Sequence, residues 1–253
     1  MKQELMRRSA LVAGLSLGLA VSLPASAGWG SWWSKSIEGS GRVVTEEKNV
    51  RNFHAVSISV PGKIQVRQGE REGVQIETDD NIQAEMETVV EGETLKIRMK
   101  QKESYPKTRH LTITVYVKYL DELELESSGS VRSDKIVSTD LRLRVGGSGD
   151  VTITELRTET LKVSIGGSGS FSARGVAPQI SAAIGGSGKL DMRHLAAKDV
   201  RVGIGGSGKV ETWVSDNLSV SIGGSGHVNY YGDPRVSKSI GGSGKVTRQG
   251  SAP

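Results

Sequence analysis

The chain is expected to be all-β: a right-handed parallel β-solenoid (β-helix) with ~18–20-residue coils, preceded by less regular β coils. Three observations predict this. First, Gly-Gly-Ser-Gly recurs at Gly146, Gly166, Gly185, Gly205, Gly223 and Gly241, at intervals of 20, 19, 20, 18 and 18 residues. A weaker copy, Ser127-Ser128-Gly129, precedes them. Repetition at a short period means one small unit stacked on itself. Second, the residues before each motif alternate in character. Leu125, Val145, Ile165, Ile184, Ile204, Ile222 and Ile240 stand immediately before it. Leu123, Leu143, Val163, Ala182, Val202, Val220 and Lys238 stand two earlier, with polar or small residues between. Period-2 alternation marks a strand with one buried face. Third, the alternation resumes two residues after the motif, at Val131, Val151, Phe171, Leu190, Val210, Val228 and Val246.

Each unit therefore reads strand, tight glycine turn, strand, then a variable corner such as Ala177-Pro178 or Gly232-Asp233-Pro234. A unit this short has no room for a βαβ crossover and suits one coil. Coils stack at about 4.8 Å, so equivalent residues form columns. Repeated glycine is expected to give every coil the same positive-φ bend, and the Ser column is expected to seal the turns by hydrogen bonding.

In chain order, residues 1–27 read as a secretory signal peptide. Lys2, Arg7 and Arg8 give a basic start, Ala10 to Leu23 an apolar stretch too short to span a bilayer, and Ala25-Ser26-Ala27 a cleavage site. Residues 28–41 read as a Trp/Ser/Gly-rich linker carrying Trp29, Trp32 and Trp33 as possible docking aromatics. Residues 42–125 read as an N-terminal β region capping the solenoid. Alternating segments stand at Val56–Val60, Ile64–Val66, Val74–Ile76, Leu95–Met99 and Leu111–Val117. No helix is expected, Asn81 to Val90 being the one ambiguous stretch. Residues 126–248 are the repeat body. In its last coil Lys238 and Arg248 replace apolar residues, which discourages further stacking. Residues 249–253 are a polar tail.

There is no cysteine, so an exported chain of this sequence has neither disulfide nor lipid-modifiable thiol. No stretch after the signal reaches the ~18 apolar residues of a membrane span, and too little chain follows the repeats for a barrel. The net charge is +5, and the residues before Gly28 account for two of those charges. A mildly basic, exported body gives no reason to expect nucleic acid.

An ordered set of motifs accompanies this pattern: Gly39-Ser40-Gly41-Arg42-Val43-Val44, then Phe53-His54-Ala55-Val56, the Ser-Gly repeats, and Tyr230-Tyr231-Gly232-Asp233-Pro234. This set resembles the putative auto-transporter adhesin, head GIN domain family, over roughly residues 39–247. The resemblance implies a bacterial exported domain of unknown function with a β-helical fold. It brings no catalytic residues with it.

Other chemistries fit the residues poorly. Gly203 to Val210 begins like a phosphate-binding loop, but Val210 stands where Ser or Thr would hold magnesium. Calcium-binding nonapeptide repeats need Asp where Val151 and its apolar counterparts stand. The Ser column (Ser148, Ser168, Ser187, Ser207, Ser225, Ser243) lacks a base, because His54, His110, His194 and His227 are scattered. Asp150, Asp191 and Glu211 lie past turns in different coils and are read as forming no column. No metal or cofactor is expected.

The candidate ligand face is the outward position just after each turn, with Lys189, Lys209, His227 and Lys245 as its candidate residues and the like charges of Lys189 and Lys209 on adjacent coils. An anionic polysaccharide or an envelope or surface protein is the expected partner. The reading is a non-enzymatic exported binding or adhesion module, periplasmic, secreted or at the cell surface, acting by multivalent contact. The alternatives are a polysaccharide lyase or hydrolase on the same scaffold and a structural envelope protein.

Overall fold

The computed structural model describes residues 35–102 and 104–252; the segment read as a signal peptide and Trp29, Trp32 and Trp33 lie outside them. Strand accounts for 67% and helix for 3% of the described residues, which are nearly all β, with about six solenoid turns.

Ten short strands come before the repeats. β1 (Lys35–Glu38) falls in the stretch read as linker and pairs in parallel with β8 (Ser104–Lys107). β2 (Val43–Lys48), β3 (Ala55–Ile58), β4 (Lys63–Gln68) and β5 (Gly73–Asp79) lead into α1 (Asp80–Glu85). That helix occupies half of the ambiguous stretch and places Ile82 fully in the core. β6 (Met86–Glu91), β7 (Thr94–Met99), β9 (Thr112–Val117) and β10 (Glu122–Leu125) complete the set.

These strands stack out of chain order. β3 lies between β7 and β10, and β4 lies between β9 and β11 (Ser130–Val145), all in parallel. The coil containing β3 and β4 is thus flanked by two coils made later in the chain. Beyond β7 and β9 the pairing turns antiparallel: β6 on β7, β5 on β9 and β2 on β5. The alternation places strands correctly but carries no information about their order, because any apolar face fits any neighbouring coil.

From β11 the repeats run in sequence through β12 (Asp150–Ile165), β13 (Ser170–Val176), β14 (Gln179–Ile184), β15 (Lys189–Ile204), β16 (Lys209–Ile222), β17 (His227–Tyr231), β18 (Arg235–Ile240) and β19 (Lys245–Gly250). Leu125, Val145, Ile165, Ile184, Ile204, Ile222 and Ile240 are register partners in series. All but Ile240 are at most 1% exposed. Burial of each such side chain contributes roughly 1.5–3 kcal/mol. In the last coil the inward series ends: Val236 and Ile240 are 39% and 37% exposed, and Lys238 stands in register with Val220.

The glycine corners work by close approach. None of the glycines of the Gly-Gly-Ser-Gly motifs has positive φ, which corrects the expectation drawn from their flexibility. Backbone bonds run directly from corner to corner, as in Ser207 N–H to the Gly186 carbonyl (3.1 Å) and Lys209 N–H to the Gly188 carbonyl (3.0 Å). A Cβ on the second glycine of a motif, such as Gly206, would collide with the carbonyl of its counterpart Gly186. A Cβ on the fourth, such as Gly208, would lie 2.7 Å from Ile184 Cγ2 in the coil below. The first glycine has room: a Cβ on Gly205 meets nothing nearer than 4.0 Å. The serines do not seal the turns with their side chains as expected. Ser148, Ser168, Ser187, Ser207, Ser225 and Ser243 are exposed, and the bonds joining the corners are those of the backbone. Ser127, which stands where the later motifs have their second glycine and so lies outside that column, does bond with its side chain: its hydroxyl donates to the Val60 carbonyl and accepts from Gly129 N–H.

Alanine substitution should separate these roles. Gly206→Ala should destabilise by roughly 1–3 kcal/mol through overpacking, whereas Gly205→Ala should change stability by less than about 0.5 kcal/mol. Urea unfolding of both variants checks this, and equal effects would contradict it.

Candidate functional site

Parallel, in-register stacking turns each outward position into a column. The position after the corner gives Lys63, Ser130, Asp150, Ser170, Lys189, Lys209, His227 and Lys245 in unbroken series. The four candidate cations therefore share one line at the C-terminal end of the solenoid. Their surroundings differ. The Lys209 ammonium lies 2.7 Å from Glu211 Oε1. Lys189, His227 and Lys245 are exposed and form no ion pair among the described residues, although the Lys189 charge lies near enough to Asp191 to help lower its pKa. At the acidic break in the column, the Ser170 hydroxyl donates to Asp150 Oδ1 at 2.5 Å.

Two residues further on, a second column runs Thr152, Ser172, Asp191, Glu211, Asn229 and Thr247. Asp191 and Glu211, read from the sequence as forming no column, are direct register partners. Each lies two residues past the Lys of its own coil, so the shared offset was legible and was missed. Arg193 grips Asp191 with two bonds of 2.9 Å and reaches Glu211 Oε2 at 2.7 Å. Glu211, only 6% exposed, is thus held by one guanidinium and one ammonium. Burial alone would push the Asp191 carboxyl up, but the Arg193 guanidinium outweighs it and holds the pKa below the ordinary carboxylate value. The guanidinium pKa rises in turn, chiefly through its bonds to Asp191.

A cleft of about 350 Å³ adjoins this cluster. Thr152, Thr154, Ser172, Arg174, Asp191 and His194 line it, together with Ile153 and Ala173, whose side chains are buried in the core. Its origin is a register break. Ile153 pairs with Ala173, yet the next partners are Leu156 and Gly175; Ser172 pairs with Asp191, yet Arg174 pairs with His194. β13 is therefore one residue short of both neighbours at this corner. Gly175 closes the gap at φ +126°, with no room for a Cβ against the Leu156 carbonyl. The interval of 19 between intervals of 20 was the trace of this break in the sequence.

His54, read as one of four scattered histidines, also sits in a column. Its Nδ1 lies 2.8 Å from Asp121 Oδ1 and its Nε2 lies 2.9 Å from Glu93 Oε2, across the three coils that stack out of chain order. The hydrogen bond to Asp121, then that to Glu93, raises the imidazole pKa above its ordinary value. With both ring nitrogens engaged by carboxylates the group is an ionic clamp between coils. Among the described residues no group of three or more His, Cys, Asp and Glu is arranged to hold a metal ion, and no helix is long and apolar enough to cross a membrane.

Residues 52–234 match the family model described as putative auto-transporter adhesin, head GIN domain. Three solved structures resemble the fold, each covering 85% of this chain and 99% of its own. A putative adhesin from Bacteroides fragilis NCTC 9343 is 23% identical with a TM-score of 0.78. A putative adhesin from Parabacteroides merdae ATCC 43184 is 21% identical with a TM-score of 0.69. A putative lipid binding protein from Parabacteroides distasonis ATCC 8503 is 23% identical with a TM-score of 0.65. At these identities the likeness concerns the fold alone. No curated protein matches the chain.

The His54 clamp should appear in stability against pH. A raised folded pKa contributes stability that is complete below the unfolded value, about 6.5, and that is lost as pH rises through the folded pKa. The stability difference between wild type and His54→Gln should therefore be larger at pH 6 than at pH 9. Urea unfolding at both values checks this; a pH-independent difference would contradict it.

Proposed function

The chain belongs to the putative auto-transporter adhesin, head GIN domain family, and on that premise we propose that it is a non-enzymatic exported binding module for anionic polysaccharide. The family and the β-solenoid fold support the coarser reading of a binding module. The observation that carries the finer one is the register column ending in Lys189, Lys209, His227 and Lys245. Cationic side chains on adjacent coils, about 4.8 Å apart, repel one another in water. A polyanion laid along the solenoid axis relieves that repulsion and adds one contact per coil, so affinity grows with polymer length. Lys209 contributes least, because Glu211 already neutralises it. The module acts in the periplasm or at the cell surface.

The second reading, a polysaccharide-active enzyme, has one observation in its favour: the adjacent carboxylates Asp191 and Glu211. Acid–base cleavage of a glycosidic bond needs one carboxyl held protonated. Asp191 is pushed the other way, and Arg193 occupies both groups. The pair is better understood as an ionic tie between coils.

Binding of the processed chain to acidic and neutral polysaccharides tests the proposal. Acidic polymers should bind and be released by salt, neutral ones should not bind, and Lys189→Glu/Lys245→Glu should weaken binding about tenfold or more. This pair spares Lys209, whose replacement would strip Glu211 of a partner. Equal binding of neutral polymers, or no effect of the double substitution, would sink the idea.

A further inference from the structure

We infer that the cleft at the short coil, with Arg174 at its mouth, is a subsite for the carboxylate of an acidic sugar residue. The inference rests on the polysaccharide-binding reading and names where one sugar of the chain is held. The cleft lies where β13 is one residue short of both its neighbours, one of several register shifts in the repeats, and residues of three successive coils line it. Arg174 is exposed and forms no ion pair or side-chain hydrogen bond among the described residues, while Arg193 nearby is fully engaged. A free guanidinium presents a planar fork that suits a carboxylate bidentately.

The remaining walls suit the rest of a sugar. Thr152 and Ser172 form a hydroxyl pair at 3.3 Å, and Thr154 adds a third hydroxyl. Asp191, oriented by Arg193, supplies an acceptor for sugar hydroxyls. His194, the register partner of Arg174, flanks the cation. Ile153 and Ala173 face the core, so the polar side chains are what the cleft offers a ligand. A simple anion would use the guanidinium and leave the hydroxyls idle; a uronic acid uses both. The cleft opens beside Lys189, two residues before Asp191, so a polymer held here continues onto the cationic column.

The test is calorimetric titration of the full processed chain with trigalacturonate, with a neutral galactose trimer, and with trigalacturonate in the presence of inorganic phosphate. Trigalacturonate should bind, and the neutral trimer should bind at least about tenfold more weakly. Millimolar phosphate should not compete. Arg174→Ala should lose about tenfold or more in affinity and Arg174→Lys should recover part of it. Because Arg174 is exposed, thermal melting should be the same in all three proteins. Trigalacturonate bound equally by Arg174→Ala but weakly by Lys189→Glu/Lys245→Glu would overturn the subsite and leave the column reading standing. Competition by phosphate would overturn the sugar assignment. No binding of any acidic sugar or polymer would overturn both.

Discussion

The fold depends on the approach of one glycine corner to the next. The backbone of each Gly-Gly-Ser-Gly turn lies directly on that of the preceding coil, close enough that a single methyl group at the second or fourth position has no room. That contact carries backbone hydrogen bonds from coil to coil at the corner and seats the aliphatic residue before each motif against the last glycine of the next. With the corners locked, the register is locked, and the inward columns follow. One coil has too little apolar surface to stand alone, so stability belongs to the stack.

Such a frame makes its surface repetitive wherever register holds and distinctive where it breaks. Regular positions become lines of like chemistry, as with the cations from Lys189 to Lys245. The one-residue deficit in β13 leaves that line intact and, a few residues further along the coil, shifts the register beside a cleft. The Asp191–Arg193–Glu211 cluster beside it shows how adjacent like charges are tolerated on neighbouring coils: a guanidinium bridges them. Binding groups held on strands of a locked stack need little ordering when a ligand arrives. The N-terminal part obeys the same packing rule with a different chain path. Its coil of β3 and β4 is completed on both sides only by residues 94–132, linked by the Glu93–His54–Asp121 clamp. Long-range pairings of this kind slow folding.

Much of the repeat body was legible because alternation and interval are properties of the sequence itself. Ile165, Ile184 and Ile204 could be placed in one inward column without a structure. The physical role of the glycines was not legible, since composition cannot distinguish a need for positive φ from a need for close approach. The nesting of β3 and β4 was hidden because parallel apolar faces are interchangeable. Asp191 and Glu211 could have been paired from their equal offsets after Lys189 and Lys209. The cleft was foreshadowed by one interval of 19, but its walls depend on where around the coil the residue is missing. Arg174 carried no signal because nothing in its local sequence resembles a site, and His194 read only as one of four scattered histidines.

The most direct test of the account is backbone-amide NMR mapping of an acidic oligosaccharide on residues 28–253. If binding chemistry sits where register breaks, the perturbed amides should cluster at residues 150–154, 170–175 and 189–194, fading along the column towards Lys245. Perturbations centred instead on the exposed Tyr119 and Val137, or spread evenly over every corner, would contradict it.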